Sequence, residues 1–272
     1  MLETIFKIFS YSFLTRALIV GILISLCAAL IGVSLVLKRY SMIGDGLSHV
    51  GFGALSAAVV MGVAPMALCV PVIIIAALFL LKLNEKGRLK GDCAIAMLSV
   101  SCLAAGVILT SLSKGSNIDI ESYLFGSIVS VKQQYLYVSI FLSAAVVIIY
   151  MFFYNHIFSV TFDESFAKAT GTNVSAFNTV LALLCALVIA FGMRIMGTML
   201  ITGLIIFPPL SAMSLSKSFK GVTIWSGLLS VICFISGFVL SVLFNTPPGA
   251  SVIIINLFVY IICRVIRRFI LV

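Results

Sequence analysis

The chain has 272 residues, of which 62% are hydrophobic and 9% charged, and its mean hydropathy is +1.30. This composition excludes a water-soluble domain and predicts one polytopic membrane domain over residues 1–272, with membrane lipid as its surroundings. The net charge of +9 comes from short basic loops and not from a basic stripe interleaved with aromatic residues, so no nucleic-acid partner is expected.

Apolar runs of about 20 residues, the length of a membrane-spanning helix, recur along the whole chain. A weakly amphipathic helix at the membrane surface is predicted for 1–15, before the first span. The spans are predicted at 16–37, 43–61, 66–81, 93–112, 134–154, 177–192, 196–215, 225–244 and 250–263. The last run is short and a re-entrant helix is possible within 113–126, so the all-α fold has eight or nine transmembrane helices.

The basic residues divide unequally between the two sides of the predicted bundle. If the spans alternate in direction, twelve lysines and arginines fall on one face and five on the other. The richer face carries the loops 38–39, 82–90, 155–175 and 217–220 and the C-terminal tail. The positive-inside rule assigns that face to the cytoplasm.

The second span carries two polar side chains on one helical face. Asp45 and His49 are four residues apart, and Asp45 is the only carboxylate within a predicted span. Burying a carboxylate in hydrocarbon costs at least about 2.5–3.5 kcal/mol, so such a residue normally faces a cavity or a partner. A carboxylate and an imidazole at this spacing are good ligands for a divalent metal ion. The alternative is that Asp45, between Gly44 and Gly46, caps a broken helix start and His49 hydrogen-bonds a neighbouring helix.

The loop at 155–175 is too long for a hairpin and contains the segment TFDESFAKATG. This segment predicts a short helix ended by Gly171, with Phe162, Phe166 and Ala169 near one side. A short amphipathic helix in the cytosol fits a groove in a partner protein, and it fits equally well as a helix lying on the membrane surface. The sequence leaves these two interpretations open.

The seventh span contains Pro208 and Pro209, which remove two backbone donors and predict a kink. Such a break exposes carbonyl groups to a pathway in a transporter, or only bends the helix in a plain bundle. The phosphate-loop, H-E-x-x-H and G-x-S-x-G motifs are absent from the sequence, so we expect no ATPase site and no enzyme activity. The seven cysteines are scattered singly, which suggests neither disulfides nor a thiolate metal site. Translocation is therefore the predicted activity.

Five segments together resemble the permease subunits of bacterial ABC importers for zinc, manganese and iron, the ABC-3 family. In chain order they are FLTRALIVGILISLCAALIGVSLVLKRYSMIGDGLSHVGFG, ESYLFGSI, FDESFAKATG, MGTMLITGLIIFPPLSA and TPPGASVI. The resemblance implies a homodimer in the bacterial cytoplasmic membrane, with two cytoplasmic ABC ATPase subunits and an extracytoplasmic metal-binding protein as partners. It also implies Zn²⁺ as the transported ion, with Mn²⁺ or Fe²⁺ as alternatives, and no tightly bound cofactor.

The resemblance also implies roles for particular residues. Asp45 and His49 fall on the positions that hold the metal in the pathway, and two copies about a two-fold axis would offer up to four ligands. The short helix near residue 165 becomes the coupling helix that docks on the ATPase. Its implied coupling residues are Phe162, Asp163, Glu164, Phe166, Ala167, Ala169 and Gly171.

Two further expectations concern energy and delivery. The polar segments 113–122 and 246–251, on the face opposite the basic loops, are expected to help receive the metal-delivering protein. The alternative function is a stand-alone secondary transporter or channel in which Asp45 and His49 form a proton relay. Dependence on a separate ATPase distinguishes the two functions.

Overall fold

The structure is a computed structural model that describes residues 11–85, 91–112, 125–126 and 133–270. Eleven α-helices and no strand occur in these ranges. They are α1 (Ser12–Leu37), α2 (Met42–Val60), α3 (Pro65–Glu85), α4 (Gly91–Leu112), α5 (Gln133–Phe152), α6 (Tyr154–Phe162), α7 (Glu164–Ala169), α8 (Val174–Met196), α9 (Thr198–Leu215), α10 (Phe219–Phe244) and α11 (Pro248–Ile270). Within the described ranges, nine of these helices are long and apolar enough to cross a membrane. The predicted all-α polytopic fold is therefore confirmed, and the nine candidate spans in the described ranges agree with the higher of the two predicted counts.

Two predicted elements fall largely outside the described residues. These are the surface helix at 1–15, of which only the last five residues are described, and the re-entrant helix within 113–126. The predicted short helix at TFDESFAKATG is present as α7. A second short helix, α6, precedes it directly and was predicted as loop.

The ends of the last two spans differ most from the prediction. Helix α10 begins at Phe219 rather than at residue 225, because the Ser218 hydroxyl accepts a hydrogen bond from the amide of Gly221 and caps the helix. Helix α11 continues to Ile270 rather than ending at residue 263. Arg267 and Arg268 lie in its last turn, where a positive charge stabilises a helix C-terminus.

Three helices form the centre of the bundle. In α1, α2 and α9, 67%, 67% and 61% of the most apolar window is buried within the protein, against 17% in α4. Helices α1 and α9 meet backbone to backbone, since a Cβ added to Gly32 would lie 2.2 Å from the carbonyl oxygen of Ile205. Close approach of this kind is typical of small residues in membrane helices. The second helix, with Asp45 and His49, is therefore a central element and not a lipid-facing one.

The double proline does not end its helix. Pro208 and Pro209 are both buried inside α9, which is helical from Thr198 to Leu215, and the exposed Pro71 lies inside α3. Neighbouring helices and local adjustments can satisfy the carbonyl groups that a proline frees in a membrane bundle. The predicted kink at this pair stays a prediction.

Candidate metal site on the second helix

Asp45 and His49 lie on one face of α2, as their spacing predicts. The Oδ1 atom of Asp45 is 3.5 Å from Nε2 of His49, and the two side chains are 36% and 20% exposed. Helix α2 begins at Met42, and no side-chain hydrogen bond caps that end. The interpretation of Asp45 as a helix cap is therefore not supported by the structure.

The two nitrogen atoms of the His49 imidazole have different surroundings. Its Nδ1 atom is buried and has no hydrogen-bond partner among the described residues. The Nε2 atom faces the Asp45 carboxylate, so Nε2 is the nitrogen that an ion beside Asp45 would meet. The alternative in which His49 hydrogen-bonds a neighbouring helix through Nδ1 is not observed in this part of the chain.

The two side chains line a cavity of about 220 Å³ together with Phe125, Thr198 and Met199. Since a water molecule takes about 30 Å³ in the liquid, the space can hold an ion with several of its waters. The cavity is partly open and lies next to the start of α9. An ion in it would face one carboxylate, one imidazole, one hydroxyl and one thioether.

Two glycines with positive φ build the wall opposite α2. Gly197, with φ of 87°, separates α8 from α9. Helix α9 begins directly after it, with Thr198 and Met199 as its first two residues. Gly126 has φ of 83°, and a Cβ added to it would lie 2.4 Å from the carbonyl oxygen of Met196. The backbone at Phe125 therefore packs directly on the junction between α8 and α9, which brings its ring to the cavity.

A hydroxyl contact holds α9 beside α2. The Oγ atoms of Ser48 and Thr202 are 3.5 Å apart, and Ser48 also donates to the carbonyl oxygen of Gly44. Sequence reasoning assigned no role to Phe125, Thr198 or Met199, although they lie within two of the segments that carry the family resemblance. No local pattern in the sequence marks these three residues as the wall of a cavity.

Among the residues that the structure describes, one chain brings two strong metal ligands together, Asp45 and His49. No group of three or more His, Cys, Asp and Glu side chains that could hold a metal ion occurs among the residues that the structure describes. A closed tetrahedral site needs four ligands, whereas a site with open positions keeps water or other ligands there. The geometry thus favours an open, transient site over a closed structural one.

A larger cavity of about 590 Å³ lies elsewhere, between α1, α5 and α10. Leu26, Val147, Met151 and Ile224 are among its lining residues, and no acid or histidine is among the described residues that line it. Its walls offer no carboxylate or imidazole to a cation. The smaller cavity, lined by Asp45 and His49, is therefore the candidate metal site.

The predicted coupling residues divide into two groups. Four of them point outward: Phe162 and Phe166 are each 60% exposed, and Ala169 and Gly171 are also exposed. Gly171 has φ of 83° directly after the helix, as expected for a glycine that ends a helix. These four residues form the outward surface available to a partner.

The other three coupling residues have contacts within the chain. Asp163 caps α7, because its Oδ1 atom accepts hydrogen bonds of 2.9 Å from the amides of Ser165 and Phe166. Ala167 is fully buried in a small cluster with Val160 and Val174. Glu164 forms an ion pair with Lys38 at 3.0 Å. The periodic pattern placed Phe162, Phe166 and Ala169 near one side, whereas the grouping of all seven residues as coupling residues followed from the resemblance alone.

Comparison with known proteins agrees with this architecture. The family model described as the ABC 3 transport family matches residues 10–267. The high-affinity zinc uptake system membrane protein ZnuB of Haemophilus influenzae is 28% identical over 93% of this chain and 97% of its own length. The manganese transport system membrane protein MntC of Halalkalibacterium halodurans is 28% identical over 92% of this chain and 85% of its own.

Solved structures extend the comparison. The complex of PsaBC from Streptococcus pneumoniae with Fab contains a chain that is 27% identical, with a TM-score of 0.85 over 96% of this chain and 94% of that one. A putative metal-chelate type ABC transporter in an inward-facing conformation has a TM-score of 0.75 at 16% identity, over 94% and 87% of the two chains. The second likeness concerns the fold alone.

Proposed function

Because this chain belongs to the ABC 3 transport family, we propose that it is the permease of an ATP-driven importer of Zn²⁺, with Mn²⁺ or Fe²⁺ as alternatives. In this proposal it lies in the bacterial cytoplasmic membrane, and Asp45 and His49 bind the ion in transit. A separate cytoplasmic ATPase supplies the energy, and an extracytoplasmic protein delivers the ion. The relatives ZnuB and MntC, named as a zinc and a manganese system, support zinc and manganese within this range of ions.

The observation that carries the proposal is the cavity at Asp45 and His49. A carboxylate and an imidazole, 3.5 Å apart, line a partly open space of about 220 Å³ beside the central helix α2. A divalent ion offsets the cost of burying the carboxylate, and a neutral imidazole adds a ligand without adding charge. Mixed oxygen and nitrogen ligands accept several first-row ions, which is why the proposal extends beyond zinc.

A homodimer is part of the proposal because one chain offers too few strong ligands. Two copies of Asp45 and His49 about a two-fold axis would supply four, either to one ion or as two sites. Two carboxylates brought close together repel each other, so their site would favour a bound cation. The resemblance to the ABC-3 permeases implies a homodimer, and the two-ligand geometry supports it.

The surface that would receive the ATPase is the exposed side of α6 and α7. Phe162 and Phe166 are largely exposed there, on the basic face that the loop charges assign to the cytoplasm. Exposed aromatic side chains on a short helix are suited to a groove in a partner. On the opposite face, the exposed Thr246 lies in the segment proposed to receive the delivering protein, and the segment 113–122 lies outside the described residues.

The test is metal uptake by cells that carry the permease with its ATPase and binding protein. Asp45→Asn and His49→Ala should each reduce uptake of radioactive Zn²⁺ or Mn²⁺ to background, while co-purification of the ATPase and basal ATP hydrolysis persist. Asp45→Glu should also be damaging, since one methylene moves the oxygens by about 1 Å in a site sensitive to ligand distance. Ser56→Ala is the matched control, because Ser56 is a buried polar residue of the same helix, bonded to its own backbone and outside the cavity.

Two results would contradict the proposal. Uptake at the wild-type rate by Asp45→Asn, at normal protein levels, would remove Asp45 from the pathway. Wild-type uptake that persists without any ATPase would instead favour a secondary transporter with Asp45 and His49 as a proton relay. The first result tests the role of Asp45 as a metal ligand, and the second tests whether an ATPase supplies the energy.

A further inference from the structure

A cluster of three polar side chains joins the short helix α7 to two membrane-spanning helices. The Lys38 Nζ atom is 3.0 Å from Oε1 of Glu164 and also donates to Oδ1 of Asn178. The Asn178 amide in turn donates to Oε1 of Glu164 at 3.2 Å. The Lys38 side chain is only 7% exposed, so this ion pair is shielded from water on its cationic side.

The three residues come from distant parts of the chain. Lys38 is the C-cap of α1, and its backbone amide donates to the carbonyl oxygen of Ser34. Glu164 is the first residue of α7, and Asn178 lies in the second turn of α8. The cluster therefore ties the cytoplasmic end of α1 and the start of α8 to the helix proposed to meet the ATPase.

A tight turn connects Lys38 to α2, the helix that carries Asp45 and His49. Arg39 has a positive φ of 61°, and the amide of Tyr40 donates to the carbonyl oxygen of Leu35 at 2.7 Å. The amide of Ile43 then donates to the carbonyl oxygen of Tyr40 at 3.0 Å, at the start of α2. Asp45 follows two residues later. Because the turn is short and hydrogen-bonded, a displacement of Lys38 moves the start of α2 and the carboxylate on it.

The charges and hydrogen bonds around Glu164 favour its ionised form. Partial burial raises the pKa of the Glu164 carboxyl, but several favourable interactions outweigh it. They are the hydrogen bond and charge of Lys38, the hydrogen bond from Asn178 and the charge of Lys168, and together they hold this pKa below its ordinary value. Removing one partner leaves a partly buried charge uncompensated, so the pair holds α7 and α1 together.

We propose that the Lys38–Glu164 ion pair, steadied by Asn178, transmits movement of α7 to α2 and so couples ATP hydrolysis to the ion held by Asp45 and His49. This inference rests on the proposed function. Lys38 and Glu164 act as positioning residues, since neither lines the cavity that contains Asp45 and His49. The ATPase would push on α7, and the pair would carry the displacement across to the turn that begins α2.

The test uses the full complex of permease and ATPase, purified in detergent. Binding of Zn²⁺, with Mn²⁺ in parallel, is measured before and after the ATPase is trapped with ATP and vanadate, and uptake is measured in cells. Lys38→Met removes the charge at similar length, and Glu164→Gln removes the charge at the same shape. The charge-reversed pair Lys38→Glu with Glu164→Lys tests the interaction itself. Lys82→Met is the matched control, an exposed lysine at the end of α3 on the same face.

In the wild type, trapping should change the ion's affinity by about tenfold, within the usual range of coupling between two sites. In Lys38→Met this change should shrink to less than about twofold and uptake should fall about tenfold, with Lys82→Met unaffected. Lys38→Met and Lys82→Met should both keep ion binding without ATP, co-purification of the ATPase and ATP hydrolysis. The charge-reversed pair should regain at least about half of the affinity change.

Retention of the affinity change and of uptake in Lys38→Met would overturn the inference, and so would a charge-reversed pair no better than either single variant. If Lys38→Met does not assemble, the same affinity and uptake measurements are made on Glu164→Gln, which alters only the charge of the Glu164 side chain. These outcomes leave the proposed function intact. Failure of the wild-type complex to take up the ion with ATP would refute the proposed function itself.

Discussion

The replacement of Gly126 by alanine tests how the wall of the metal cavity is held in place. Gly126 has φ of 83°, and an added Cβ would lie 2.4 Å from the carbonyl oxygen and 2.5 Å from the carbonyl carbon of Met196. Both are backbone atoms, so no side chain can rotate away. The carbonyl oxygen of Phe125 is itself packed against Gly249, 2.5 Å from where a Cβ on that glycine would lie. Gly126→Ala must therefore move the segment that carries Phe125.

The cost has two parts that a control variant separates. A left-handed conformation costs a residue with a Cβ roughly 1–2 kcal/mol. The contact with the Met196 backbone adds about 1–3 kcal/mol, as overpacking does in a well-packed core. Gly62→Ala carries only the first part, since Gly62 has φ of 67° but no described atom lies within 4 Å of its added Cβ.

The assay is thermal unfolding of the purified permease with and without Zn²⁺. At about 2–4 °C per kcal/mol for a chain of this size, Gly126→Ala should unfold about 2–12 °C below Gly62→Ala. Gly126→Ala should also weaken Zn²⁺ binding, because Phe125 lines the cavity, whereas Gly62→Ala should not. Equal unfolding temperatures together with unchanged Zn²⁺ binding would refute the packing of this segment on the α8–α9 junction.

Two further results are expected on the cytoplasmic side. Replacing Phe166 and Ala169 with aspartate should abolish co-purification of the ATPase while Ser175→Asp, exposed just beyond α7, preserves it; unchanged co-purification would remove this contact. The lowered pKa of Glu164 means that its stabilising contribution is complete above the ordinary value of 4.5 and is lost as the pH falls through the lowered pKa. Glu164→Gln should therefore lose less stability than the wild type on acidification, and identical slopes of unfolding temperature against pH would contradict this.

The chain's class and its spans could be predicted because both depend on local composition. A run of about 20 apolar residues must be helical in a bilayer, since every backbone group has to be satisfied within the segment. The pairing of Asp45 with His49 was equally local, because four residues make one helical turn. The short helix α7 was visible through Gly171, which ends it. These features needed no knowledge of neighbouring helices.

The rest of the site could not be predicted in this way because its residues are distant in the chain. Phe125, Thr198 and Met199 join Asp45 in one cavity only after three segments pack together. The division of α7 was also hidden: Glu164 turns inward to a lysine 126 positions earlier, while Phe166 turns outward. In a helix of six residues, the periodic pattern does not show which side will be buried.

The sequence by itself determined that the protein is a helical bundle in a membrane, with one acid and one imidazole side by side within a span. Those properties follow from hydropathy and from the repeat of a single helix. The packing of the helices places Asp45 and His49 in one cavity with Phe125. It also brings Lys38, just before the turn to α2, into an ion pair with Glu164. The cavity depends on the close backbone approach that Gly126 permits. Both features depend on bringing together segments whose separation in the chain leaves no local signal.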